Sequence, residues 1–172
     1  MKLVTADQMR AIEQSSVEAG VSLDVLMENA GLAVAQAVRD DLYDTEDSNG
    51  IFGARIVILV GPGNNGSDGF VVGRHLAIWG ANVIVVLCTK RDSNDPKRTL
   101  AQTAGVVVED GLVESGLVLL QQKLETTDVV IDAVLGIGSS RRIAEPLAPL
   151  LFAVLESGVS VVALDLPTGL NS

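Results

Sequence analysis

The chain has 172 residues, 22 acidic against 12 basic, a net charge of −10 and 48% apolar residues. That length and apolar share allow one domain with a full core, and the charge balance, with no gathering of Lys and Arg, excludes a surface built to follow a phosphate backbone. A single cysteine, Cys88, excludes an internal disulfide and a cysteine-built zinc cage. The opening "MKLVTADQMR" has no signal-like apolar core, and no apolar run reaches the roughly 18 residues of a membrane span. The expectation is a cytoplasmic protein whose partners include neither nucleic acid nor membrane.

Thr5 and Gln8 have capping-box spacing, and Met9, Ile12 and Val17 follow as an approximately helical stripe, so a first helix starts there. Gly20 ends it. Ser22 caps a second helix, whose expected apolar face is Leu23, Leu26, Met27, Ala30, Ala33, Ala37 and Val38. "DDLYDTEDSNG" then reads as an acidic, solvated connection. From residue 54 apolar runs alternate with amphipathic segments: "ARIVILV", "NVIVVLC", "GVVVE", "DVVIDAV" and "VSVVALDL" are β-branched and apolar on successive residues, as strands of a parallel sheet are. Gly80, Gly105 and Gly158 each stand where a helix closes before a strand. The pattern predicts an α/β fold, a three-layer α/β/α Rossmann-like sandwich with a mainly parallel sheet.

In such a fold the strand-to-helix loops emerge at the carboxyl edge of the sheet, where ligands bind. Three loops meet there: "GPGNNGSDG", "DAVLGIGSSRR" and "DLPTGLNS". The first satisfies the glycine spacing of a dinucleotide fingerprint and the outer glycines of a Walker A loop. Neither identification holds. Ser67 and Asp68 stand where Walker A needs Lys, and "NVIVVLC" runs into Thr89 and Lys90 where a Rossmann site needs a ribose-binding acid. Asp132 and Asp165, at the ends of two apolar strands, make a convergent polar site the better reading.

"LMENAG" (26–31), "GPGNNGSDGFVVGRHL" (61–76), "DAVLGIG" (132–138) and "ALDLPTGLN" (163–171) resemble, in that order and spacing, the signature stretches of the YjeF N-terminal domain family, the NAD(P)H-hydrate epimerases. The resemblance implies an enzyme that interconverts the R and S forms of hydrated NADH and NADPH (NADHX and NADPHX), usually a homodimer and often fused to or working with a dehydratase that uses ADP or ATP. It also implies that Asn64, Asn65, Gly66, Ser67 and Asp68 embrace the dinucleotide. Gly136, Ile137, Gly138, Ser139, Ser140, Arg141 and Arg142 line it, and Asp165 touches it. Asn65, Asp132 and Thr168 are implied to hold a potassium ion, a hard oxygen set suited to a weakly polarising cation.

Three departures stand out. Ser67 replaces a second glycine, so a positive φ there would cost about 1 kcal/mol. Thr168 replaces a serine and keeps the hydroxyl. The family domain continues beyond the position of Ser172, so residues 1–172 read as a domain incomplete at its C-terminus, lacking one sheet edge and part of the pocket wall.

Inversion of the hydrated carbon requires its hydroxyl to leave as water and return on the other face. Asp165 is the expected general acid and then base, its pKa raised by an apolar strand end, while Asp132 holds the ion. His75, the chain's one histidine, falls inside a helix rather than at the edge. A non-catalytic nucleotide-binding or scaffold module of the same fold is the alternative reading.

Overall fold

The computed structural model describes residues 4–43, 50–137 and 143–170. Elements follow in the order α1 (Ala6–Glu18), α2 (Leu23–Tyr43), β1 (Arg55–Val60), α3 (Gly63–Ile78), β2 (Asn82–Leu87), α4 (Pro96–Thr103), β3 (Val107–Asp110), α5 (Gly116–Leu124), β4 (Val129–Ala133), α6 (Leu147–Ser157) and β5 (Ser160–Ala163). All five apolar runs become strands, and every pairing between them is parallel. The sheet order is β3-β2-β1-β4-β5. The chain therefore works outward from β1 to β3 and then crosses back to place β4 beside β1. The loops that leave these two central strands diverge to opposite faces, opening a crevice at the carboxyl edge.

Alternation along the strands divides the core in two. Ile56, Ile58 and Val60 of β1 pack with Ala35 and Val38 of α2 and with Phe70, Val72 and Leu76 of α3 on one face. Val57 and Leu59 pack with Leu120 and Leu124 of α5 and with Leu150 and Val154 of α6 on the other. This is the expected three-layer sandwich. Gly80, Gly105 and Gly158 have φ of 98°, 99° and 69°, the left-handed conformation in which glycine closes a helix at least cost. Cys88 is buried in the second core, and burial pushes its thiol up to about 12, so it behaves as a small hydrophobe.

Two helical faces differ from expectation. The capping box of α1 forms, with Gln8 N–H donating to Thr5 Oγ1 and Thr5 N–H to Gln8 Oε1. Its Met9, Ile12 and Val17 nevertheless stay exposed. On α2 the buried positions are Gly31, Ala35, Val38 and Leu42, while Leu23, Ala30, Ala33 and Ala37 face outward. Close approach to α3 decides this: a Cβ on Gly31 would lie 2.5 Å from Val71 Cγ1 and 3.3 Å from the Asp68 carbonyl oxygen. Small residues must face the crossing, and they rotate the apolar stripe away from it. Residues 44–49 of the acidic connection lie outside the described residues. Among the described residues no helix is long and apolar enough to cross a membrane.

Candidate functional site

The loops after β1 and β4 meet at backbone distance. Gly61 N–H donates to the Ala133 carbonyl at 3.1 Å, and a Cβ on Gly61 would lie 2.0 Å from the Val134 carbonyl oxygen, so only glycine fits. Gly63 turns the chain with φ 75° and opens α3. Asn64, Asn65, Gly66, Ser67 and Asp68 therefore belong to the first turns of a helix rather than to a free loop. Pro62 provides no side-chain cap, which leaves the N–H groups of residues 63–65 at the helix start for an anionic ligand. Ser67 sits in helical backbone, so the strain anticipated for it is absent; Gly63 takes the positive φ instead.

Asp132 stitches the β4 and β5 loops together. It is 7% exposed. Its Oδ2 accepts from Thr168 N–H at 2.7 Å, and its Oδ1 accepts from the Thr168 hydroxyl at 2.7 Å and from Val134 N–H at 3.1 Å. The Thr168 oxygen in turn accepts from Leu135 N–H at 3.1 Å. After these bonds Asp132 Oδ2 and Thr168 Oγ1 each retain a lone pair. Asn65 has its side-chain Nδ2 buried with no hydrogen-bond partner among the described residues. Turning that amide over would present an oxygen in the same place, an acceptor facing no donor, which suits a cation. The donor chemistry of Asn65, Asp132 and Thr168 thus fits a hard, weakly polarising ion.

Asp165 is where the backbone is strained. Its φ of 73° is the one positive value of a non-glycine among the described residues, at a cost of about 1–3 kcal/mol. The strain is held by contacts: Asp165 Oδ2 accepts from Ile137 N–H at 2.7 Å, and a Cβ on Gly136 would come within 2.4 Å of the same oxygen and 3.5 Å of Asn65 Cγ. Gly136 thus lets the Asp165 carboxylate and the Asn65 amide converge across bare backbone. Asp165 is exposed, however, rather than enclosed by the apolar strand end that precedes it. Burial acts on Asp68 instead. Together with the nearby negative charges of Glu13 and Asp165, and against the pull of Lys97, it pushes the Asp68 carboxyl up to about 7. Asp68 Oδ1 is buried and has no hydrogen-bond partner among the described residues.

The structure also recruits residues that sequence reasoning passed over. Arg10 of α1 donates to the Ile137 carbonyl at 3.1 Å, so the Ile137 backbone is held through both its N–H and its carbonyl. Glu28, from the "LMENAG" stretch, accepts from Lys97 Nζ at 2.7 Å and from Arg74, tying α2, α3 and α4 together. Burial would raise the Glu28 pKa, but these two cations hold it below the usual carboxylate range. His75, expected inside a helix, does lie in α3; it packs against Trp79 with ring centroids 5.9 Å apart, and burial beside Arg74 lowers its pKa. No periodicity marks these groups, because each is joined to its partners only by the crossing of elements. Gly138, Ser139, Ser140, Arg141 and Arg142 lie outside the described residues.

Comparison with known proteins agrees with this geometry. The chain is 38% identical over 169 residues to the bifunctional NAD(P)H-hydrate repair enzyme Nnr of Thermanaerovibrio acidaminovorans, covering 96% of this chain and 31% of that protein. It is 34% identical to the NAD(P)H-hydrate epimerase of Neurospora crassa, covering 98% of this chain and 66% of the other. The chain thus spans about a third of the bifunctional relatives. The crystal structure of yeast ynu0, YNL200c, superposes with a TM-score of 0.81 at 27% identity, over 98% of this chain and 72% of that one. A shikimate 5-dehydrogenase from Listeria monocytogenes, 13% identical with a TM-score of 0.50 over 78% of this chain and 51% of its own, shares the fold alone. The family described as YjeF-related protein N-terminus matches residues 23–172, and this chain belongs to that family.

Proposed function

We propose that this chain is the epimerase domain of an NAD(P)H-hydrate repair system, interconverting the R and S forms of NADHX and NADPHX. The observation that carries the reading is the convergence at the β1/β4 crevice of three family stretches: the uncapped start of α3, the Asp132–Thr168 stitch, and Asp165 set against Gly136. Relatives named as epimerases and as bifunctional repair enzymes support it. The reaction breaks one C–O bond and remakes it. Protonation lets the C6 hydroxyl leave as water while the ring nitrogen supplies its electron pair; water then adds to the other face and gives up a proton.

Two carboxyl groups divide this proton traffic in our reading. Asp68, pushed up to about 7, keeps a proton near neutrality and suits the donor. Asp165, exposed and anchored through Oδ2, suits the catalytic base that takes the proton from incoming water. The first-turn N–H groups of α3 bind the diphosphate. Asn65, Asp132 and Thr168 would hold potassium, whose chemistry is to fix the loop oxygens and offset the carboxylate charge. A homodimer, cooperation with an ADP- or ATP-dependent dehydratase and a cytoplasmic setting complete the proposal. The dehydratase is supported by the bifunctional relatives, the setting by the single buried free cysteine.

The test supplies pure R-hydrate of NADH with a dehydratase specific for the S form. The chain should let the whole pool be repaired, and Asp165→Asn should slow this about 10²-fold while keeping dinucleotide binding within a few fold. Persistence of the R form at high protein concentration would refute the reading.

A further inference from the structure

Arg91 lies in the segment after β2, yet most of its contacts are to the chain after β1. Its side chain is 10% exposed. Nη1 donates to the Gly61 carbonyl at 2.7 Å and to the Gly63 carbonyl at 3.1 Å, and Nη2 donates to Ser67 Oγ at 2.8 Å and to Asp95 Oδ2 at 2.8 Å. The guanidinium carbon stands 5.5 Å from the centroid of the Phe70 ring. A Cβ on Gly66 would meet Nη1 at 2.6 Å, so the guanidinium occupies the space that a side chain there would need. Asp95 is itself the N-cap of α4, accepting from Lys97 N–H at 2.9 Å. Its burial opposes ionisation, but the bonds from Arg91 and the Lys97 N–H outweigh this and keep it a carboxylate.

We propose that Arg91 is a positioning residue for the nucleotide, oriented by Asp95 and locked by Ser67; the inference rests on the crevice being the dinucleotide site proposed above. The peptide plane supplies the reason. In a trans peptide the C=O and the next N–H point in opposite directions, so holding the Gly63 carbonyl fixes the direction of Asn64 N–H. Holding the Gly61 carbonyl as well fixes the turn leading into α3. Arg91 thus presets the first-turn amides that receive the diphosphate, without touching it. Ser67 completes the clamp: its hydroxyl gives Nη2 a second acceptor beside Asp95.

Steady-state epimerisation with the full chain tests this in Arg91→Lys, Ser67→Gly and Arg91→Lys/Ser67→Gly. Lysine keeps the charge and loses the fork. Arg91→Lys is expected to raise KM about tenfold with kcat within about twofold. Ser67→Gly alone should raise KM two- to threefold and add nothing once Arg91 is lysine, because its partner has gone. An unchanged KM in Arg91→Lys, a loss confined to kcat, or fully multiplicative effects in the double variant would each overturn the clamp. If the unaltered chain shows no turnover, the functional reading fails by itself; the same variants are then titrated with NADPH by fluorescence. A tenfold weaker Kd for Arg91→Lys supports the clamp, and an unchanged Kd overturns it. Should Arg91→Lys fold poorly by melting temperature, Asp95→Asn frees the guanidinium from its orienting carboxylate and is expected to show the same KM-only effect; an unaltered KM there overturns the proposal.

Discussion

Replacing Asp132 with Asn changes one atom in shape and removes a charge from a residue that is 7% exposed. Three donors converge on the carboxylate: Thr168 N–H, the Thr168 hydroxyl and Val134 N–H, at 2.7, 2.7 and 3.1 Å. The amide can turn its oxygen to only one side. Placed towards Val134 and the hydroxyl, it leaves NH2 facing Thr168 N–H, a buried donor without an acceptor costing about 1–3 kcal/mol. The two remaining bonds lose their charge assistance, about 1 kcal/mol each. Relief from burying a charge offsets part of this, for a net loss of about 2–3 kcal/mol. At about 2–4 °C per kcal/mol for a chain of this size, the melting temperature should fall by about 4–12 °C. Urea denaturation at pH 7 should show a lower midpoint at unchanged slope. Thr168→Val should cost less, and the double variant should be clearly less unstable than the sum of its parts. A change below about 0.5 kcal/mol for Asp132→Asn, or strict additivity, would refute the view that this carboxylate staples two loops.

Asp68 gives a pH signature with a definite sign. Its folded pKa lies above the unfolded value of 3.8, at about 7, so between those pH values the folded state holds a proton that the unfolded state has lost. Stability from this group is therefore complete below about pH 4 and is lost as pH rises through 7; Asp68→Asn should flatten that decline, and parallel melting curves at pH 5 and pH 8 would contradict it. The rate limb that falls above about pH 7 should vanish in the same variant. Gly136→Ala drives a Cβ to 2.4 Å from Asp165 Oδ2 and should cut turnover at least tenfold with the fold intact by circular dichroism; full activity would show that the Asp165 position is not critical. Potassium should support dinucleotide binding better than lithium, and Asp132→Asn should erase the difference; an equal response to both ions in the unaltered chain would remove the ion from the site.

Much of the fold was determined by local chemistry that one sequence displays. The β-branched runs become strands, those of β1, β2 and β4 almost wholly buried, Gly80, Gly105 and Gly158 close helices because glycine adopts positive φ cheaply, and Thr5 with Gln8 announces a helix start. Three loops, "GPGNNGSDG", "DAVLGIGSSRR" and "DLPTGLNS", also pointed to the carboxyl edge of the sheet. What the sequence could not decide depends on which elements cross. The apolar stripe of α2 lost its place to Gly31 and Ala35 because helix α3 passes too close for larger residues. The two strand-end aspartates look alike in sequence, yet one lies buried under three donors and the other stands exposed on strained backbone. Burial fell on Asp68, because helices and loops far apart in the chain close over it. Arg91 and Arg10 carry no local signature, since a guanidinium becomes a clamp only when folding brings another loop's carbonyls within reach. Propensity and periodicity act over a few residues, whereas desolvation and side-chain partnership are set by atoms that the tertiary structure alone brings together.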